Sequence, residues 1–386
     1  MSEESNRKGR PILRAMGRVA ALLLFALLLY QILWPAQYRF PPATPFSGSA
    51  WYNPYAEFSG RTLKMCSHTH SSAWGGLTYG SADAEEIYNL LRDAGYDVAC
   101  ITNYLGITPP PATEFGVYLP AYEHVSSITK QHQTVIGASR VLWLDYPLWQ
   151  GVRHKQEVID RLANSAELVI LNHPNHFDAY QLSDFDQLTG YDGVEIGTRF
   201  AQNLGYWDRA LSAGRLVFGV AADDGHDPAK EGQYCRYWMQ IEAEPTADAI
   251  YEAFRAGRFY SSGRRVWERT DRNALVFCRI EDGQLKVRME EEAHLYRFIG
   301  QGGLVLKEVR AQTEASVTLR DDMPYVRVEI YTGALVQWLN PVIRYDGEHL
   351  PHPKAEVRTA RTMITRGMAI GLFLWVGSLV LFRRRR

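Results

Sequence analysis

Cysteine is scarce in this chain, and neither sign of charge dominates. The four cysteines, Cys66, Cys100, Cys235 and Cys278, stand far apart, which excludes a disulfide-scaffolded mini-domain and a zinc ribbon. Lysine and arginine number 42 against 43 aspartates and glutamates, a formal net charge of -1. No basic excess is available to recruit nucleic acid by bulk electrostatics. Internal repeats and low-complexity tracts are also lacking, which removes solenoids and disordered arrays. Apolar residues make up 46% and aromatics 12%, enough for a real core. At roughly 150 residues per domain, the length suggests two or three folded units.

Long apolar runs are present, one at each end. Residues 19–30 form an unbroken run, extended by Ile32, Leu33 and Trp34 before Pro35 stops it, and Arg7, Lys8, Arg10, Arg14 and Arg18 precede it. Residues 368–382 form the other, between Arg366 and the closing Arg383, Arg384, Arg385 and Arg386. Each falls slightly short of the roughly 20 residues that span a bilayer. Snorkelling arginines and interfacial Tyr30, Trp34 and Trp375 make up the difference. Basic clusters outside both runs predict a two-pass cell-membrane protein with both termini cytoplasmic and the body extracytoplasmic, or periplasmic in an envelope with two membranes. A cleaved signal peptide is the competing reading of the first run, but Trp34-Pro35-Ala36-Gln37 follows it and offers no small-residue cleavage site.

Between the anchors, residues 35–60 are rich in Pro, Gly, Ser and aromatics and read as a linker, as do 351–367. From 61 to 265, short apolar strands alternate with amphipathic helices. Strand signals fall at 63–67, 96–102, 134–137, 168–171, 193–196 and 216–221, and helical ones at 82–94, 156–163, 201–213 and 246–256. That rhythm predicts an α/β barrel or a doubly wound sheet. Residues 266–350 carry many short strand signals with turns such as Asp282-Gly283, and predict a small all-β, sandwich-like module.

Chemistry-bearing residues gather just past the apolar strands. The first strand runs into His68-Thr69-His70, where a period of two aims both imidazoles to one side, as two ligands of one metal would point. Two further strands run into Asn172-His173-Pro174-Asn175-His176 and into Asp223-Asp224-Gly225-His226. Carboxyl ends of parallel strands are where α/β active sites form, and imidazoles with carboxylates suit a divalent zinc, iron or manganese ion. Taken singly, the H-x-H is common by chance and the other two fit ordinary turns; their convergence points to a metal site. Glu195, in an apolar strand, needs a partner if buried; it serves either the metal or an arginine such as Arg199. The same alternation predicts that Cys66 and Cys100 point inward and are buried.

These motifs resemble the polymerase and histidinol phosphatase (PHP) family of metallohydrolases over residues 61–265. They are His68-Thr69-His70-Ser71, Ile101-Thr102-Asn103-Tyr104, His173-Pro174, Asp224-Gly225-His226 and a closing Ala256-Gly257-Arg258-Phe259-Tyr260. The resemblance implies a distorted (β/α)7 barrel that hydrolyses phosphate esters at up to three metal ions. The match is partial. Trp74-Gly75-Gly76 stands where the family has a carboxylate, Tyr104 where it has a histidine, and Gly137-Ala138-Ser139 where its bridging glutamate is expected. The ligands implied are His68, His70, His173, Asp224 and His226, holding about one divalent transition metal per chain.

Asp224, His226, His176 and Tyr104 are the expected catalytic groups, Asp223 a loop support, and Trp74-Gly75-Gly76 a flexible lip. Two functions follow as expectations. One is a membrane-anchored extracytoplasmic metal-dependent hydrolase, a phosphoesterase acting on a phosphorylated small molecule, lipid or glycan. The other is a catalytically inactive PHP-like binding or interaction module. The bilayer is the expected partner, nucleic acid is not, and no protein partner is indicated.

Overall fold

The computed structural model describes residues 2–382, apart from 79, 113, 126, 200, 201, 231 and 266–272. The basic tail expected at 383–386 and the first residues of the expected β module lie outside the described residues. In chain order the main elements are α1 (Ser2–Leu33), β1 (Leu63–Thr69), α2 (Ala84–Asp93), β2 (Val98–Ile101), β3 (Ala121–His124), β4 (Gln133–Ile136) and α3 (Val152–Ala163). Then come β5 (Leu168–Leu171), β6 (Gly193–Gly197), α4 (Leu204–Ser212), β7 (Phe218–Ala221), β8 (Tyr237–Ile241), α5 (Ala247–Arg255) and β9 (Phe259–Arg264). The last are β10 (Leu275–Glu281), β11 (Gln284–Ile299), β12 (Val305–Thr318), β13 (Tyr325–Tyr331), β14 (Leu335–Tyr345) and α6 (Thr359–Phe382).

Local chemistry explains the helix bounds. Asp83 caps α2 by accepting the Glu86 N–H at 2.8 Å, and Ile87, Tyr88 and Leu91 bury its inner face. Thr246 caps α5, whose Ile250, Ala253 and Phe254 are buried. Each large apolar side chain so buried contributes about 1.5–3 kcal/mol.

The strands form two main sheets. Five strands run in the order β7-β6-β5-β4-β3, and eleven others share a sheet whose path is β10-β11-β13-β14-β9-β8-β1-β2-(Val117–Tyr118). β1 and β2 are parallel, as are β5, β6 and β7, but β4 runs antiparallel to both neighbours. The expected seven-stranded barrel is therefore not closed. The sheets meet at two seams held by isolated bridges, Thr69 with Gly225 and Tyr104 with Glu123. The free edge of β7 is satisfied by side chains: Ser261 Oγ accepts the Ala221 N–H (2.9 Å) and donates to the Gly219 carbonyl (2.7 Å), and Asn340 Oδ1 accepts the Gly219 N–H (3.0 Å).

The strands after residue 274 do not build a separate two-sheet sandwich. β14 pairs with β9, so β10 to β14 extend the sheet that carries β1. Leu285, Val287, Tyr296, Phe298, Val326 and Val328 nonetheless share an apolar core of their own, so the extension curls over itself. Arg327 on β13 ties it to the α/β part. Its guanidinium meets both Asp208 oxygens on α4, at 2.6 and 2.8 Å, and Glu329 at 2.8 Å.

The terminal helices contain apolar stretches Leu13–Leu33 and Thr359–Val380, of 21 and 22 residues, long enough to cross a membrane. Both reach beyond the runs expected from hydropathy, because α1 begins within the basic segment before the first run and α6 within the expected linker. Residues 35–60 are likewise more than a linker. Ala50–Tyr52 pairs with β14, and buried Tyr55 donates its hydroxyl to the Phe259 carbonyl at 2.6 Å. Both helix ends dock on α3, where Glu157 accepts from the Ala36 N–H (2.7 Å) and from Arg366 (3.0 Å).

Candidate metal centre

The carboxyl ends of β1, β5 and β7 bring His68, His70, His173 and Asp224 together, and β3 adds a residue that sequence patterning passed over, Glu123. His68 Nε2 lies 3.2 Å from His70 Nε2, and His70 Nε2 lies 3.1 Å from Asp224 Oδ1. His68 Nε2 is 3.4 Å from Asp224 Oδ1 and 3.5 Å from Glu123 Oε2, which is 3.2 Å from His70 Nε2. Four donors held ~2.0–2.2 Å from one tetrahedral ion stand ~3.3–3.6 Å apart. The group His68, His70, Glu123 and Asp224 is fully buried and can hold a metal ion.

A second group shares Glu123. Its Oε1 lies 3.0 Å from His132 Nδ1 and 3.5 Å from His173 Nε2, and these three residues also have metal-ligand spacing. Glu123 Oε2 and His132 Nδ1 are buried and, despite close imidazole and carboxylate neighbours, make no well-aligned hydrogen bond, an arrangement that suits a cation taking their lone pairs. Glu123 thus faces one imidazole set with each oxygen.

Electrostatics agree. Burial opposes ionisation of Glu123, but His132 and His68 outweigh it and hold the carboxyl well below the usual range. Burial likewise opposes protonation of His68, yet Glu195, Glu123 and Asp224 lift its pKa well above the ordinary imidazole value. Asp224 is also held low, against its burial, by His68 and His70. Carboxylates crowded this closely favour positive charge among them.

Surrounding groups fix the donors. Glu195 does not face the cluster; its Oε1 sits 2.6 Å from His68 Nδ1 and its Oε2 accepts the His173 N–H at 2.8 Å. Donation from Nδ1 leaves the His68 Nε2 lone pair aimed at the site. Asn172 Nδ2 donates to Glu123 Oε1 at 2.8 Å. Asp223 accepts the N–H groups of Cys235, Arg236 and Tyr237 at 2.7–3.0 Å, tying the end of β7 to β8. His173 (φ 24) and Asp224 (φ 49) adopt left-handed backbone conformations, strain that the packed surroundings must hold. Gly225 is required here: a Cβ would fall 2.4 Å from the Gln233 carbonyl oxygen.

The remaining candidates line the mouth. His226 stacks on His70 with ring centroids 4.2 Å apart; its Nδ1 lies 2.8 Å from the Asp224 carbonyl oxygen and 3.1 Å from the Arg199 guanidinium. Burial and His70 push its pKa down to about 4. The Tyr104 hydroxyl lies 3.3 Å from His226 Nε2, and its ring centroid is 4.7 Å from that of His70. His176 sits beside His173, ring centroids 5.3 Å apart, its pKa pushed down to about 4 by desolvation and by His173. Trp74 donates from Nε1 to the Tyr104 carbonyl at 2.7 Å and caps the mouth, while Gly75 offers no ligand. His226 belongs to neither ligand group, and Tyr104 stands beside it.

The cysteines correct the expected register. Both Cys66 and Cys100 are buried, and Cys100 joins the core with Met65 and Val98. Cys66 instead packs outward with Ile87, Tyr88 and Leu91 of α2. A bulge between Cys66 and Thr69 inserts one residue and turns His68 inward after it.

Glu123 and His132 escaped sequence reading for different reasons. β3 is four residues long, Ala-Tyr-Glu-His, with no alternation to mark it. His132 precedes β4 between two glutamines. A carboxylate between Leu119, Tyr122 and Val125 was the signal available, since such a group needs a buried partner. No protein-family model matches this chain, and no curated protein matches it.

Proposed function

We propose that this chain is a membrane-anchored, metal-dependent phosphoester hydrolase of the PHP kind, in which His68, His70, Glu123 and Asp224 would hold one divalent ion and Glu123, His132 and His173 a second. The carrying observation is Glu123 itself, one oxygen toward His68 and His70 and the other toward His132 and His173. Gly137-Ala138-Ser139 stands where the family's glutamate is expected, and a carboxylate supplied from another strand by Glu123 supports the active reading over the inactive module. Substitution of two expected ligands by Gly75 and Tyr104 argues against a third ion.

A divalent ion bound here supplies Lewis-acid polarisation of a phosphoryl oxygen and a water acidic enough to ionise near neutral pH. The protein's own groups do the rest. His68, held in one tautomer by Glu195, and Asp224, held by its strained turn, keep the donors converged before substrate arrives. Arg199 brings a guanidinium to the mouth, suited to phosphoryl oxygens. In the tautomer that donates Nδ1–H to the Asp224 carbonyl, His226 presents a lone pair at Nε2 toward the Tyr104 hydroxyl. That lone pair can accept the Tyr104 O–H and so hold the phenol at the mouth, while a departing alkoxide takes up the proton that the attacking water gives up.

The test is hydrolysis of a soluble aryl phosphate by the full chain purified without chelator and supplied with Mn2+ or Zn2+. Turnover abolished in Glu123→Gln and Asp224→Ala and retained near wild type in Asp248→Asn, an exposed control, is the expected result. A wild-type protein that binds metal and hydrolyses neither mono- nor diesters would return the argument to the binding-module reading.

A further inference from the structure

We propose that the metal site works at the bilayer surface and takes its phosphoester from a lipid head group; this rests on the hydrolase reading above and extends it to a substrate class. One loop segment, residues 141–149, joins the membrane helix to both lips of the site. Toward α1, the Tyr30 hydroxyl donates to the Asp145 carbonyl at 3.1 Å, Tyr30 stacks on Tyr146 at 5.2 Å, and Gln31 bonds the Trp149 carbonyl. Toward the site, the Trp143 ring meets Trp74, which caps Tyr104, at 5.9 Å. Pro147 accepts the Ile128 N–H at 3.0 Å, in the loop that leads to His132. The mouth is therefore fastened to the place where α1 leaves its apolar stretch.

The depth is set by the same contacts. The stretch ends at Leu33, and Gln31 lies within ~3 Å of that end at 1.5 Å rise per residue. Trp149 is thus level with the membrane–water boundary, where tryptophan partitions best. On the segments tied to this boundary, Trp143 (63% exposed), Trp149 (51%) and Ile128 (72%) stand out into the surroundings. Exposed apolar side chains on segments fastened to the anchor suit contact with a bilayer. Beside Trp143, Leu144 closes an apolar groove of about 500 Å³ between α1 and α6, lined by Ala26, Leu29, Phe373 and Leu374. A hydrocarbon chain fits that lining.

Such a substrate is a phosphoester lipid in the leaflet beside the body, with phosphatidic acid the simplest case. Water oxygen bonds to phosphorus as the bond from phosphorus to the glycerol oxygen breaks. The proton lost by water passes to that glycerol oxygen, giving diacylglycerol and inorganic phosphate with no change of oxidation state.

The full chain, reconstituted in phosphatidylcholine vesicles with Mn2+, is assayed on phosphatidic acid in the same vesicles and on a soluble aryl phosphate. Ile128→Ser with Trp149→Ser should lower the vesicle-borne rate about tenfold, chiefly through apparent KM. Metal content and the soluble-ester rate should hold. Ile128→Ser alone, a change at an exposed side chain, carries the test in the same sense if the double variant loses its metal. Soluble ester cleaved with phosphatidic acid untouched, or both variants unchanged on vesicles, overturns the lipid assignment and leaves the hydrolase reading standing. Failure of the soluble ester itself in metal-loaded wild type defeats the hydrolase reading first.

Discussion

Glu195 stands behind His68, its Oε1 2.6 Å from Nδ1, while its Oε2 holds the backbone N–H of His173 at 2.8 Å. One carboxylate on β6 thereby positions a donor of each ligand group. Glu195→Gln keeps the shape but weakens both holds, and should lower metal affinity about 10–100-fold. Competition against a fluorescent chelator measures this; an unchanged affinity would show that Glu195 serves packing alone.

Metal stoichiometry discriminates between one position and two. Elemental analysis of the full chain, isolated without chelator, should give about two transition-metal ions. His132→Ala should retain about one ion, because the group of His68, His70, Glu123 and Asp224 survives it. Asp224→Ala should likewise keep about one ion, in the group of Glu123, His132 and His173, while Glu123→Ala, common to both groups, should fall below that. Three ions in the wild type would mean that another residue supplies the ligands that Tyr104 and Gly75 do not.

Asp208→Ala should be strongly destabilising without touching the metal. It strips the two-oxygen partner from Arg327, a side chain only 2% exposed, and leaves a buried guanidinium with Glu329 alone. The loss should be about 3–5 kcal/mol. Denaturant unfolding in mild detergent measures it, and a loss below 1 kcal/mol would mean Glu329 suffices.

Acid should loosen the junction between α1 and α3 through His154. Its Nδ1 accepts the Gly151 N–H (3.1 Å) and its Nε2 donates to the Gln31 carbonyl (2.7 Å). Burial lowers its pKa below the usual value, against the Gln31 bond. The unfolded chain therefore binds a proton that the folded one refuses, so stability falls as pH drops through ~6.5. Thermal unfolding from pH 8 to 5 should show this slope, and His154→Asn should flatten it while lowering stability at pH 8.

Topology is open to a direct check. Reporter fusions at residues 2 and 386 should read cytoplasmic, and an insertion at Gly283, in an open turn, should read external. An external C-terminus would sink the two-crossing arrangement.

Several features were set by local sequence. The apolar terminal runs mark the candidate spans because bilayer thickness fixes the length needed. His68, His70, His173 and Asp224 could be named because each follows an apolar run that ends where a strand ends. Asp83 and Thr246 announce helix starts through their own hydrogen bonds.

Other features exist only in three dimensions. Cys66 and His68 are two residues apart, yet a bulge puts them on opposite faces, and a bulge depends on the partner strand rather than on the residues between. Glu123 lies 55 positions from His68 in sequence, on a four-residue strand paired antiparallel to β4. Its place between the two imidazole sets is decided by the seam where Tyr104 meets it. The union of β14 with β9 depends on edge hydrogen bonds that any two extended strands can make. Hydrophobic period tells which face of a strand is buried, but backbone pairing carries no residue-specific code, so the choice of neighbour was left to the tertiary structure.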